Sequence, residues 1–411
     1  MIVWFLDPWD ALPGEIGFER GQQIVRALAA AGHEVVWWQS GFAHAEKKTR
    51  AAQRQESWLG SRQLVVLLPA RPYASNVSPR RLLSIGDYVW GFMRASRGRP
   101  RPDAILVSGP IFFSEPALLY FRWIRRIPLI FEFRDLWPET IIYSVTGPRR
   151  WLRWAIFGGS LVTRRVLFRA CDGLVGLNRT YLEIARREAG MPAGQLAGVA
   201  YPSPAADPVA GPPPQVKPPG QTWVISAGTL GASHDHQTLL SAAELLKGWP
   251  ELRFLITGTG AYADEIRATI AARRLNNVDF LGPLPKREFR ALLAECDLGL
   301  ALYRRFSPVV FPTKIVDYML AGLGVVTSAQ GEGAAIITSA DAGQAIPAED
   351  TGALVTALET WLQAPGRIAA LKENSARLAL DFAQDRQIQV IVNMVETAAN
   401  RQQARAHDPA V

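Results

Sequence analysis

With 411 residues, 48% of them hydrophobic and 20% charged, the chain is ordinary globular material but too long for one compact core, so two domains are expected. A net charge of +8 permits an acidic partner and identifies none, because a solvated basic surface has the same composition. Two widely separated cysteines, Cys171 and Cys296, argue against a disulfide framework or a zinc site, and a reducing cytoplasm is the expected compartment.

The opening MIVWFLDPWD is interrupted by Asp7 and Pro8 too early for a signal peptide, and no apolar run approaches the roughly 20 residues of a membrane span. Within it, residues 2 to 6 read as a buried strand. A loop, PGEIG at 13–17, leads into a helical pattern through Ile24 and Leu28 to Gly32, and the strand EVVWW follows. LVVLL at 64–68, AILVS at 104–108 and PLIFEF at 128–133 continue this βαβ alternation, which predicts a parallel sheet covered on both faces. Ligands of such sheets bind beyond the carboxyl ends of the strands. The loops at Gly14, Glu15 and Gly17 and at Arg134–Glu139 are therefore candidate sites.

From 202 to 220 the chain reads PSPAADPVAGPPPQVKPPG, a stiff, extended connector. A second alternating series follows, with strands at 222–228, 252–258, 278–282 and 298–302 and helices near 236–247, 262–273 and 286–295. The expected organisation is an N-terminal Rossmann-like domain over 1–201, the linker 202–220, a second Rossmann-like domain over 221–383, and a C-terminal helix and tail over 384–411 that packs back on the first domain. The fold class is α/β, two doubly wound domains facing a central cleft.

The most informative stretch is SPVVFPTKIVDYMLAGLGVVTS at 307–328. Proline is tolerated in the first helical turn, so a helix should open within a residue of Pro312 and stop at Gly322. Its free amides, those of Thr313 and Lys314 among them, the helix dipole and the Lys314 ammonium would together suit a phosphate or diphosphate. Asp317 lies on the same face and would accept from ribose hydroxyls; an ordinary surface Lys–Asp pair is the competing reading. Gly228, Thr229 and Leu230 end the first strand of this domain where bare backbone can approach a phosphate, and Gly258 and Gly260 form a tight turn without the third glycine of a dinucleotide fingerprint. His234 and His236 are read as solvent-facing rather than as metal ligands, and no Asp-x-Asp pair exists to hold a metal-bound nucleotide. On the loop FEFRDLWPE, Arg134, Asp135 and Glu139 are read as functional, against the alternative of a buried Arg134–Asp135 pair. Residues 147–170 carry six arginines (149, 150, 153, 164, 165 and 169) with Trp151, Trp154 and Phe157 and no acid, a composition suited to an anionic membrane surface.

These strings resemble glycosyltransferase family 4 of the GT-B fold, and within it the bacterial surface-polysaccharide branch. The likeness covers nearly the whole chain and rests on PGEIGFERGQQIVRALAAAGHEV, FEFRDLWPETI, SAGTL, LITGTGAYADEI, VDFLGPLPKREFRALLAECDLGLAL and FPTKIVDYMLAG. It implies a retaining, metal-independent transfer of a sugar from a nucleoside diphosphate sugar, which is a co-substrate, so that no cofactor is needed. The partners implied are a glycan or polyprenyl-linked acceptor and the inner face of the plasma membrane, with no nucleic acid. Lys314 would bind the diphosphate, Asp317 the ribose, Gly228 to Leu230 the phosphate region, Gly14 to Gly17 the donor side of the cleft, and Arg134 and Asp135 the acceptor side. The chain departs from the family pattern at Val309, where the first of two glutamates usually stands, at Asp317 in place of the second, at Gly324, and in GTLGASHD, which lacks the usual basic residue. An epimerase or phosphorylase on the same plan and an inactive nucleotide-binding partner protein remain as alternatives.

Overall fold

In the computed structural model the first strand, β1 (Ile2–Leu6), buries all but its first residue. The structure describes every residue except 76–77, 110, 140–148, 205–210, 308, 310 and 408–411, and for 149, 150, 152–156, 406 and 407 the backbone alone. Two compact units emerge, Met1–Tyr201 with Asp385–Val411, and Pro202–Gln384.

In the first unit, β1 is followed by α1 (Arg20–Ala30), β2 (Glu34–Ser40), a small hairpin of β3 (Phe42–Ala43) and β4 (Lys48–Thr49), β5 (Gln55–Gly60), β6 (Gln63–Leu68), α2 (Pro79–Ala95), β7 (Ala104–Gly109), α3 (Glu115–Leu119), β8 (Leu129–Phe133), α4 (Arg149–Ala170), β9 (Gly173–Gly176), α5 (Arg179–Ala189) and β10 (Leu196–Val199). The sheet runs β10-β9-β8-β7-β1-β2-β6-β5 and is parallel except where β5 pairs with β6. Successive side chains of a strand point to opposite faces, and both faces here are apolar, hence the continuous hydrophobic runs. Trp4, Leu6, Val36 and Trp38 face α2 and α4, while Val3, Phe5, Val35 and Trp37 face α1.

Three strands of this eight-stranded sheet have no clear sequence signal. β5 (QESWLG) is exposed along its whole length and so carries no buried face to read. β9 (GLVG) and β10 (LAGV) are short and glycine-bearing. Their glycines make room for a distant element: a Cβ on Gly173 would lie 2.6 Å from the Met394 sulfur, and one on Gly198 would lie 3.2 Å from its terminal methyl. Met394 belongs to the last helix, which contributes Ile388, Ile391, Val392 and Val395 to the same core as Val3 and Phe5.

The second unit carries β11 (Thr222–Thr229), α6 (His236–Leu245), β12 (Leu252–Thr259), α7 (Ala263–Ala272), β13 (Val278–Gly282), α8 (Lys286–Glu295), β14 (Leu298–Ala301), α9 (Thr313–Leu320), β15 (Gly324–Thr327), α10 (Glu332–Ser339), β16 (Gly343–Ala345), α11 (Thr351–Gln363) and α12 (Arg367–Ala379), and α13 (Gln384–His407) leads back into the first unit. Its sheet is parallel throughout, in the order β13-β12-β11-β14-β15-β16. The described part of 202–220 forms neither helix nor strand, as its prolines require, and Lys217 ties it to Asp297 at 2.8 Å. Among the described residues no helix is long and apolar enough to cross a membrane.

Since Ile391 is fully buried in the core of the first unit, Ile391→Ala should destabilise that unit by about 2–5 kcal/mol. Urea unfolding followed by tryptophan fluorescence checks it, and an unchanged midpoint would remove α13 from this core.

Candidate functional site

In the second unit, the carboxyl ends of β11, β12 and β14 meet the start of α9. Proline occupies the N-cap, so α9 starts at Thr313, and Gly322 with φ +70° ends it as its N–H donates to the Met319 carbonyl at 2.9 Å. Tyr318 fixes the helix in place. Its hydroxyl accepts from the Ala227 N–H at 2.9 Å and donates to the Leu300 carbonyl at 3.3 Å, and its ring fills the space that a Cβ on Gly299 would need. One turn back toward the N-terminus, Lys314 therefore reaches β11: its Nζ lies 3.8 Å from where a Cβ of Gly228 would stand and 5.3 Å from the Tyr303 ring centroid.

Lys314 and Asp317 are both half-buried, and no ion pair joins them. Burial pushes the ammonium down to about 8, with Asp317 opposing. Burial likewise pushes the Asp317 carboxyl up to about 6, against the charges of Arg290 and Lys314. These are two partly desolvated groups at a helix start, not an exposed surface pair.

The neighbouring histidines differ from the solvent-facing reading. The His234 and His236 rings stack at 6.0 Å, His234 packs 5.0 Å from Tyr303, and His236 is buried with its Nε2 unpartnered. Burial, then the Lys314 charge, pushes each imidazole down to about 4. Ring contacts of His234 with Tyr303 and of His236 with Tyr262 draw them in, a tertiary effect that their i, i+2 spacing cannot reveal.

Gly228 and Thr229 are exposed beside Lys314, but the Leu230 side chain is buried in the core of the unit. Gly258 has φ +138°, and a Cβ there would lie 1.8 Å from the Gly228 carbonyl oxygen; one at Gly260 would lie 2.2 Å from that of Leu230. Close approach of the β11 and β12 ends explains both glycines without a ligand. Pro312 is buried and Thr313 exposed. Among the described residues no group of three or more His, Cys, Asp or Glu is placed to hold a metal ion.

In the first unit, Arg134 does not pair with Asp135. Its Nη1 donates to Asp10 at 2.9 Å and its Nε to Glu132 at 2.7 Å, and Asp7 lies 3.7 Å away. Arg20 completes the cluster, donating to Glu132 at 2.6 Å and to the Ala200 carbonyl at 2.7 Å. Burial opposes the charge on Glu132, but Arg134 and Arg20 overcome it and hold the carboxyl down at about 2. Burial, then Asp10, raises Asp7 well above the carboxylate range and favours its protonated form. Two guanidiniums thus balance two carboxylates, while Asp135, exposed as a residue, has its carboxyl raised by burial against hydrogen bonds from Leu136 and Trp137 and the charge of Arg81.

Two acids read as substrate-facing are held by arginines. Glu15 accepts from Arg50 Nε at 2.8 Å, while Gly14 and Gly17, with φ +89° and +150°, turn the loop around it. Glu139 accepts from Arg164 Nη1 at 2.9 Å, and the same guanidinium donates to Glu188 and to the Trp137 carbonyl. Arg164 is consequently buried, not part of a basic surface. The side chains of Arg149, Arg150, Arg153 and Trp154 lie outside the described residues.

A third cluster escaped the sequence reading. His44, Lys47, Tyr73 and Arg81 meet beyond the ends of β2 and β6, with Trp9 and Trp137 beside them. The carboxyl-end rule that selected the other loops was the available signal, but no motif links these positions.

The family described as Glyco_trans_4_4, a glycosyl transferase 4-like domain, matches residues 19–202, and that described as glycosyl transferases group 1 matches 212–378. The chain is a family-4-type glycosyltransferase. No curated protein matches it. Among solved structures, sucrose-phosphate synthase from Thermosynechococcus elongatus aligns over 100% of both chains with a TM-score of 0.65 and 15% identity. WaaG, a glycosyltransferase involved in lipopolysaccharide biosynthesis, aligns over 96% of this chain and 99% of its own with 0.63 and 15%. Anabaena HepE in complex with UDP aligns over 98% and 100% with 0.62 and 16%. At such identities the likeness is one of fold, and the fold is GT-B, with two Rossmann-like domains.

If the transferase holds an anion at Lys314, pyrophosphate affinity should fall about tenfold between pH 7 and 9, as the ammonium deprotonates through its value of about 8. Isothermal titration of wild type and Lys314→Ala across that range checks this, and a pH-independent affinity in wild type would detach the anion from Lys314.

Proposed function

We propose that the enzyme transfers a sugar from a nucleoside diphosphate sugar, with retention and without a metal ion, to a glycan or polyprenyl-linked acceptor in bacterial polysaccharide or glycoconjugate biosynthesis. The observation that carries the donor half is the Lys314 ammonium, half-buried at the start of α9 and against Gly228. Negative charge grows on the leaving diphosphate as the glycosidic bond breaks, and a preorganised cation and free helix amides stabilise that state more than the ground state. Asp317, one turn along, accepts from the ribose hydroxyls. HepE structures hold UDP and UDP-glucose, which makes UDP the first nucleotide to test. Arg134 positions the loop that carries Asp135, and Asp135 is the member of that pair open to an acceptor.

With EDTA present, Lys314→Ala should lower turnover roughly a hundredfold or more. Asp317→Ala should mainly weaken nucleotide binding, because it meets the ribose alike in ground and transition states. Turnover and UDP affinity of both single variants decide it. Unchanged values in both would place the donor elsewhere.

A peripheral membrane reading is supported by a different face. Trp123, Ile124, Trp151 and Val162 are 55–69% exposed on α4 and on the turn that continues α3, and Arg125, Arg126, Arg165 and Arg169 are exposed beside them. Ser160 on α4 donates to Glu115 on α3, which makes the two neighbours. Indole and guanidinium suit an anionic headgroup layer. Trp123→Ser with Arg165→Glu should reduce flotation with anionic liposomes, and recovery equal to wild type would remove this reading.

A further inference from the structure

We propose that the first unit carries a second anion site at the opposite end of its sheet from the loops assigned to the reaction, a cavity walled by Arg97, Arg99, Arg101 and Arg125 that takes a phosphomonoester group. The proposal goes beyond the transferase reading, and neither the donor nor the acceptor assignment is needed for it.

The cavity has a volume of about 170 Å³. Arg97 lies in the single turn Ser96–Gly98 that follows α2, Arg99 and Arg101 lie on the segment that enters β7, and Arg125 lies in the turn that enters β8. Trp4, on the floor, pairs with Ile105 near the start of β7. These are the amino ends of the strands. β7 has 6 residues, so at about 3.3 Å per residue its carboxyl end, where ligands of such sheets bind, lies roughly 20 Å away. A group bound here leaves that end clear.

Donor groups on the wall are available. Arg97, Arg125 and the Tyr120 hydroxyl have no hydrogen-bond or ion-pair partner among the described residues, and all three residues are exposed. Arg101 engages only its Nη2, which donates to the Arg125 carbonyl at 3.0 Å and to the Arg126 carbonyl at 3.1 Å. That contact holds the turn in which Arg126 adopts φ +52°, an uncommon backbone for a residue with a Cβ, and so fixes where Arg125 stands. Among the described residues, Arg99 is the one of the four with a carboxylate partner, Glu56. The acid next along the wall, Asp103, already accepts from the Ile2 N–H at 2.8 Å and from Gln403 at 3.4 Å. On the floor Trp4 is 2% exposed, its ring packs edge-on 5.7 Å from Phe121, and its Nε1 has no acceptor. Buried N–H groups are nearly always paired, so this donor calls for an oxygen.

Charge and size select the class. A guanidinium meets phosphate oxygens through two parallel N–H bonds, and three of these four lack a carboxylate, so a dianion is matched better here than a singly charged carboxylate. Pockets that enclose a whole small ligand measure roughly 300–1,000 Å³, so this cavity takes the phosphoryl head and leaves the rest of the molecule outside. A soluble phosphomonoester and the headgroup of phosphatidic acid share that chemistry.

The test is isothermal titration with sodium phosphate, at constant ionic strength, of Lys314→Ala and of Lys314→Ala carrying Arg97→Gln and Arg125→Gln, each checked for folding by its thermal transition. Both arginines are exposed, so the variant should fold. The comparison is made within one background and reads the same whether or not Lys314 holds the donor. Phosphate should bind Lys314→Ala and bind about tenfold or more weakly once the two arginines are replaced. Absence of phosphate binding in Lys314→Ala, an affinity that the arginine substitutions leave unchanged, or equal binding of acetate would each overturn the proposal. Trp123→Ser with Arg165→Glu, placed in the same background, should leave phosphate affinity unaltered, and an equal fall there would mean diffuse surface charge in place of a site. Glycerol 3-phosphate titration and flotation with vesicles of phosphatidylcholine and phosphatidic acid distinguish the sources. Loss of either binding with Arg97→Gln and Arg125→Gln names its source, and retention of both would overturn the assignment to a phosphomonoester.

Discussion

The Tyr318 hydroxyl is the contact on which the geometry of the second unit depends. By bridging the Ala227 N–H and the Leu300 carbonyl it ties α9 to two adjacent strands, β11 and β14, at the level where both end. A phenol buried this deeply is tolerated because both its donor and its acceptor functions are satisfied. The same contact requires glycine at 299, because the aromatic ring occupies that side of β14. Every group assigned to the donor, from Gly228 to Lys314 and Asp317, takes its position from this anchor.

The two units handle charge in opposite ways. In the first, Arg20, Arg134, Asp10 and Glu132 neutralise one another around the carboxyl ends of β1 and β8, and Asp7 is relieved of its charge by burial beside Asp10. Such a network fixes the ends of β1 and β8, since removing one member strands the others without a counter-charge, and only Arg134 Nη2 and Asp7 Oδ2 within it are left without a hydrogen-bond partner. In the second, Lys314 is desolvated without an ion pair to Asp317, and burial lowers its proton affinity. A cation held in that state gains from any anion that arrives. Charge that is balanced positions a loop, and charge held out of balance binds.

Arginines of the segment 147–170 show the same division on a smaller scale. Arg164 is buried between Glu139 and Glu188, so it fastens the loop after β8 to α4 and α5. Arg165 and Arg169 remain exposed on the same helix beside Val162 and Val166. One composition therefore serves an internal tether and an external face, and helix phase decides which residue does which.

Much of this protein follows from local sequence rules. Apolar runs of β-branched residues set the parallel strands, the proline-rich stretch separates two series, and Pro312 with Gly322 bounds α9, because each depends on the backbone preferences of a few neighbouring residues. Strands β5, β9 and β10 were not legible, since β5 has no buried face and the glycines of β9 and β10 make room for Met394, over 190 residues away. The candidate site divides along the same line. Lys314 and Asp317 share one helix turn, so their spacing placed them together. The partners of Arg134, Glu15 and Glu139, the burial of His236 and the meeting of His44, Lys47, Tyr73 and Arg81 depend on which strand ends lie side by side. Strand order is set by packing over the whole sheet, so only the tertiary structure could decide whether a charged residue meets a counter-ion or stays available to a substrate.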